Sequence, residues 1–337
     1  MMASLNQKIP YSMTTLPSST VNSNQTGNCT RIMEERNVTL AMFQLVLLAL
    51  ILFFGTLFNS FAIWVFCFKM KKWTETRVLM ISLLFSDCCL LITIPFRIYA
   101  TQHQWDLPRE LCNVLTYAYF MNTYLSIAII TLISVDRYIA IKFPLRSRSF
   151  RSPKKAALAC AIVFALLLST RIFILLTGDS KLSSPGFCFR KTSTRPLKRS
   201  LYFTLMGFYI PLPIIIFCTT EVVRFLKTKD KVSVYEHECI QKSIKIMSAN
   251  LVIFLVCFLP LHIGNIIRFV IESLSLDCIL KKQINDYVYA AQVIGDLNCC
   301  LDSVCYYFVA KEFWESTSML PRSNQLTPFP ETEDINL

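Results

Sequence analysis

Between Cys112 and Asp136 lie 23 residues, Asn113 to Val135, without a single charge. At about 1.5 Å of rise per residue, a helix of that length crosses a bilayer core of about 30 Å. In lipid every backbone N–H and C=O must be satisfied inside the protein, and a helix does this along its own axis. The stretch therefore reads as a membrane helix with a cysteine at one mouth and Asp136-Arg137-Tyr138 at the other. An acid beside an arginine at a membrane boundary is costly unless each is satisfied. A contact there that can be made and broken suits a switch. The alternative is an anchor in which Arg137 snorkels to lipid phosphate.

The pattern recurs. Apolar blocks also cover about 42–68, 78–99, 156–177, 201–223, 246–267 and 287–309. Charged residues make up 17% of the chain, against about a quarter in soluble domains. The expected fold is an all-α membrane protein: a seven-transmembrane helix bundle followed by a short amphipathic eighth helix at Lys311-Glu-Phe-Trp-Glu-Ser. The net charge of +12 does not argue for nucleic acid, because the basic residues are interleaved with spans. They follow the positive-inside bias instead, and membrane lipid is the implied neighbour. The loop holding Lys142, Arg146, Arg148, Arg151, Lys154 and Lys155 contains no acid and reads as cytoplasmic.

The chain divides into a polar tail (1–40), the bundle (41–309), the amphipathic helix (310–320) and a cytoplasmic tail expected to be disordered (321–337). Sequons at Asn24, Asn28 and Asn37 place glycosylation and the N-terminus outside the cell, leaving the C-terminus inside. Met1 to Arg36 has no continuous apolar core, so the first span is expected to serve as the insertion signal.

Three constellations carry chemistry. Cys112 and Cys188 both face an oxidising compartment and are expected to pair, tethering an outer loop over the bundle. Cys29 and Cys278 are also outside, but sequence alone leaves their connectivity open. Asn59, Asp87, Asn298 and Asp302 sit at mid-membrane, where buried carboxylates seek hydrogen bonds or a cation. They read as a hydrated cluster able to hold a sodium ion, or else as polar glue between helices. Arg97, Arg171 and Arg268 occupy the outer parts of three spans, and Arg190 follows Cys188 by two residues. Converging arginines recognise carboxylate or phosphate through forked hydrogen bonds; the alternative is snorkelling. The three histidines, His103, His237 and His262, are widely spaced, and no phosphate loop or metal motif is present, so no enzyme is expected.

With these residues the chain resembles the rhodopsin-like G-protein-coupled receptors. The resemblance rests on Asn59, Asp87, Cys112, Asp136-Arg137-Tyr138, Cys188, Pro211, Cys257-Phe-Leu-Pro260 and Asp302-Ser-Val-Cys-Tyr306. Within the family it is similar to the purinergic-type branch that includes lysophospholipid receptors. The resemblance implies a receptor for an acidic small molecule or lysophospholipid, with Thr123 in the pocket wall. Its partners would be heterotrimeric G proteins, of the inhibitory or twelve/thirteen type, and arrestin. It implies that Asp136 holds Arg137 at rest, that Phe258 replaces the usual rotamer-switch tryptophan above Pro260, and that Tyr306 supports the active state. It implies an inhibitory sodium ion at Asp87, and a Cys29–Cys278 bridge, which the branch commonly has.

The chain departs from the pattern at Ser303 and Phe164, where proline and tryptophan are usual. A close relative in the branch carries a pocket arginine where this chain has Thr123, and its span-four arginine falls at Ile174. Other readings are a nucleotide receptor, in which Lys282 would join Arg268 to meet more phosphate, and an ion-coupled transporter or channel with Asp87, Asp296 and Asp302 along its path.

Overall fold

The computed structural model describes residues 25–69, 73–145, 151–177, 185–228 and 234–303. A short helix, α1 (Gln25–Glu34), precedes α2 (Val38–Trp64), α3 (Glu75–Gln102), α4 (Arg109–Lys142) and α5 (Pro153–Thr177). Span five is α6 (Lys198–Thr204), a wide turn and α7 (Pro211–Lys227). Spans six and seven are α8 (Val234–Ser273) and α9 (Cys278–Asp296), and helix resumes after α9 over 298–303. The six longer spans are apolar and long enough to cross a membrane. The seventh carries Lys281, Lys282 and Asp286 in its outer half, so its signal is weaker. The expected eighth helix, the cytoplasmic tail and Tyr306 lie outside the described residues.

Helix starts follow local chemistry. The Asn37 and Thr74 side chains accept from the backbone N–H groups of Leu40 and Arg77 at 3.1 and 3.2 Å, capping α2 and α3. Asp277 does the same for α9 through Ile279. The main core lies between spans two to six, where Leu83, Ile127, Ile129, Phe208 and Phe254 are buried. Outward apolar residues such as Phe53, Phe85 and Ile92 are exposed on the bundle's rim, as a lipid-facing surface requires.

Two disulfides fasten the outer face. Cys112–Cys188 ties the loop before α6 to the start of α4, and Cys29–Cys278 ties α1 to the start of α9, with Cα atoms 5.8 and 5.4 Å apart. Both expected pairings are present. Gly186 turns the loop with φ +84°, a value that favours glycine, and its carbonyl accepts from Trp105 N–H at 3.0 Å. The described part of the polar tail, from residue 25 on, packs against the bundle. Met33 is buried, Arg36 donates to the Gln102 carbonyl at 3.0 Å, and Arg190 and Lys282 donate to the Glu35 carbonyl.

Span five contains a π turn, Leu205–Tyr209, closed by Ile210 N–H to the Leu205 carbonyl at 3.2 Å. Gly207 sits within it against the Tyr124 ring: a Cβ there would lie 2.5 Å from Tyr124 Cδ1. Phe120 and Phe203 pack beside that ring, with centroids 4.7 and 5.3 Å from it, and leave it little room to retreat. Gly207→Ala is therefore expected to destabilise the purified protein by about 1–3 kcal/mol, read as a lowered thermal midpoint. Alanine at Gly186, where the same added Cβ would meet open space, separates overpacking from backbone strain.

Candidate functional site

A cavity of about 690 Å³ opens at the outer end of the bundle, beneath the disulfide-tethered loop. Its apolar wall is Phe120, Tyr124, Phe203 and Leu261, and Thr123 is among the lining residues. Its polar lining is strongly cationic. Arg36, Arg97, Arg109, Arg190, Lys191, Arg199 and Arg268 face it, against one acid, Glu34, among the described residues.

These cations differ in how they are held. Arg97 is buried and donates through Nη1 to Asp296 Oδ2 at 2.5 Å, with its guanidinium 4.6 Å from the centre of the Tyr119 ring. The arginine expected to be available for a ligand thus already has a carboxylate. Arg268 is buried too, but its partners are amide oxygens, Asn265 Oδ1 at 2.9 Å and Asn285 Oδ1 at 3.5 Å. Glu272, near enough to feel that charge, bonds to Lys191 instead. Arg190 lies over Phe187 and reaches the Glu35 carbonyl. The Arg171 side chain lies outside the described residues. Lys282 is held by Asp286 and the Glu35 carbonyl and is not part of the cavity lining.

Lys191 was missed by sequence reasoning. It stands in a loop rich in lysine and arginine, with nothing local to mark it. Yet it is 4% exposed, bonded to Glu272 and to the Ser193 carbonyl, while its backbone N–H donates to Tyr289 at 2.5 Å. Burial pulls its ammonium down to about 8, an effect only partly offset by Glu272.

The mid-membrane polar residues are all buried, and hydrogen bonds join Asn298 to Asp302 and Asn59 to the backbone beside them. Asn59 donates to the carbonyls of Gly55 and Cys299 at 2.9 and 3.0 Å. Asn298 Nδ2 donates to Asp302 Oδ2 at 2.6 Å, and Asp87 is fully buried. The side-chain oxygens of Asn59 and Asn298 are buried without a hydrogen-bond partner. Such hard oxygen donors suit an alkali-metal ion.

At the opposite end of the bundle, around Asp136, the structure departs from expectation. Both carboxylate oxygens of Asp136 accept from Arg151, at 2.8 and 3.0 Å, and Arg151 also reaches Glu75 at 3.6 Å. Adjacent helical residues point about 100° apart, so a cation from the following loop meets this carboxylate more directly than Arg137 does. Arg137 is half-buried, and the Tyr138 ring packs 5.7 Å from that of Phe217. Phe258, two residues before Pro260, is buried against Phe254. Of the sequons, Asn24 and the side chain of Asn28 lie outside the described residues. The amide nitrogen of Asn37 donates to Asp286 at 2.9 Å.

The family profile described as "7 transmembrane receptor (rhodopsin family)" matches residues 58–306. The chain belongs to that family. Among its relatives is "G-protein coupled receptor 35" of Homo sapiens, 41% identical over 272 residues, covering 81% of this chain and 85% of the relative. "G-protein coupled receptor 55" of Homo sapiens is 32% identical over 77% of the chain and 82% of the relative. "Lysophosphatidic acid receptor 4" of Homo sapiens is 30% identical over 87% and 80%. The receptor is thus a multi-pass plasma-membrane signalling protein and not an enzyme, which sets aside the transporter reading.

The Lys191 burial has a pH signature. The unfolded lysine keeps its proton to about 10.5, while the folded one releases it near 8. Between these values the unfolded chain binds more protons, so stability rises with pH. Thermal midpoints of the purified receptor across pH 8 to 10 are expected to fall less steeply, or rise, relative to Lys191→Met/Glu272→Gln. Parallel profiles would show that Lys191 keeps its proton in the fold.

Proposed function

We propose that this receptor binds an acidic small molecule or a lysophospholipid in the outer cavity and activates heterotrimeric G proteins of the inhibitory or twelve/thirteen type. The observation that carries the reading is Arg268, a buried guanidinium in the cavity wall whose partners among the described residues are neutral amides. A buried cation without a carboxylate is a favourable seat for an anionic group. Arg190 and Lys191 line the same cavity and add positive field, while Phe120, Tyr124 and Phe203 offer an apolar wall for a ring or acyl chain.

Transmission would run from the cavity through Phe258 and Pro260 to the cytoplasmic end, where Arg137 becomes available to the G protein and Tyr138 and Tyr306 support the active arrangement. Arg151 joins this account as the cation on Asp136 at rest. Arrestin would read the same cleft. The N-terminus would lie outside and the C-terminus inside. A sodium ion would be held by Asp87, Asp302, Asn59 and Asn298, and when bound it would favour the resting state. Asn24 and Asn28 would carry the glycans, since Asn37 already uses its amide to cap α2 and to reach Asp286.

The number of cations around the cavity keeps a second reading, a nucleotide receptor, in view. Lys282, which that reading needs, is engaged outside the cavity lining.

Cells expressing the receptor, challenged with aromatic carboxylates, lysophosphatidic acid and nucleoside diphosphates, provide the test. Arg268→Ala, at matched surface expression, is expected to weaken the response to an acidic agonist at least about tenfold, equivalent to about 1.4 kcal/mol, and Lys282→Ala to leave it unchanged. An Arg268→Ala response equal to wild type would remove the proposed anion seat. A nucleotide response lost in both variants would favour the second reading.

A further inference from the structure

We propose that the Arg97–Asp296 pair is a ligand-operated tie between spans two and seven, released when an anionic group in the cavity engages Arg97. The inference rests on the acidic-ligand reading above and assigns that site a trigger.

Three observations place the pair at a junction. First, Arg97 and its ring neighbour Tyr119 line the cavity, whereas Asp296 does not. An incoming anion therefore meets the cation while the carboxylate lies behind it. Second, among the described residues the Arg97 guanidinium makes one hydrogen bond, from Nη1 to Asp296. A guanidinium carries five N–H donors, so donors remain with which a second carboxylate could be held. Third, Asp296 is the last residue of α9. Leu297 then closes a tight turn onto the Ile294 carbonyl at 3.2 Å, and helix resumes over 298–303. The resumed segment carries Asn298 and Asp302, and its Cys299 carbonyl holds Asn59 of span one. Asp296 thus sits at the joint between the ligand-facing and core-facing parts of span seven.

The direction of the effect follows from burial. Arg97 and Asp296 are 7% and 3% exposed. A buried carboxylate deprived of its cation is strongly destabilised. A ligand anion that draws on Arg97 weakens the charge holding Asp296, and the joint can then move to a place where Asp296 is better satisfied. A ligand can shift an equilibrium only through interactions that differ between its two states. Competition between two carboxylates for one guanidinium provides such a difference. It also gives Arg97 a role distinct from that of Arg268, which among the described residues is hydrogen-bonded to amides and not to an acid.

The test uses the full-length receptor in cells, with G-protein activation read in the absence of ligand and with aromatic carboxylates and lysophosphatidic acid. If the tie restrains the receptor, Asp296→Asn and Arg97→Gln both raise unliganded activity at matched surface expression. Their agonist responses move in opposite directions. Asp296→Asn lowers the half-maximal acid concentration about tenfold because the competitor is gone, and Arg97→Gln raises it about tenfold or more because the cation is gone. A merely structural bridge would shift both variants the same way, and that result, or unchanged unliganded activity in both, overturns the proposal. Should a single variant not reach the surface, the exchanged pair Arg97→Asp/Asp296→Arg is measured. Recovery of expression with low unliganded activity supports the tie, and failure to recover counts against it. Arg268→Ala serves as the separate control. Raised unliganded activity in both variants, with no acid response in wild type, would sink the acidic-ligand reading and the release step with it.

Discussion

A charge placed among membrane helices must find its counter-charge or its hydrogen bonds within the protein, because lipid offers neither. Most of what is distinctive here follows from how that demand is met. Arg97 meets Asp296 across spans two and seven, Lys191 meets Glu272 across the outer loop and span six, and Asn298 meets Asp302 within span seven. The first two pairings link different segments and so constrain how a helix is turned about its own axis, which apolar packing alone leaves loosely specified. Arg268 is the contrast: it is equally buried, yet its hydrogen-bond partners among the described residues are amides.

The outer face is organised by covalent constraint instead. Cys112–Cys188 draws the Gly186–Lys191 stretch down onto the mouth of span three, which is why Trp105 and Phe189 can pack there as a small apolar cluster. Cys29–Cys278 brings α1 against the start of α9, and the Glu35 carbonyl then becomes an acceptor for two basic side chains from different segments. The roof over the cavity is therefore held by two covalent crosslinks, one small apolar cluster and a carbonyl shared by two basic side chains.

The bundle was legible in the sequence because a span of about 20 apolar residues has few other physical solutions. The disulfides were legible because cysteines outside the apolar spans are conspicuous. What stayed hidden were partnerships. Nothing local says that Arg97 belongs to Asp296, 199 residues away, or that Lys191, among several neighbouring cations, is the buried one. The Asp136 contact misled for the opposite reason. Proximity in sequence pointed to Arg137, but neighbours on a helix diverge, and Arg151 arrives from the loop.

The π turn in span five bears on how such a helix should be read. Phe203 and Phe208 are five residues apart and both buried, one beside Tyr124 and Phe120, the other stacked on His262 and Phe254. On an unbroken α-helix, at 100° per residue, two such positions would be about 140° apart. The wide turn absorbs the surplus and brings the two rings back into phase. Beyond it Ile215, Cys218 and Val222 continue the inward face at ordinary spacing. Span five is thus two helical registers spliced at Gly207. A single-residue deletion within the splice would leave a plain α-helix with both halves still facing inward, whereas the same deletion in α7 would turn everything beyond it by about 100° and carry part of its inward face towards lipid.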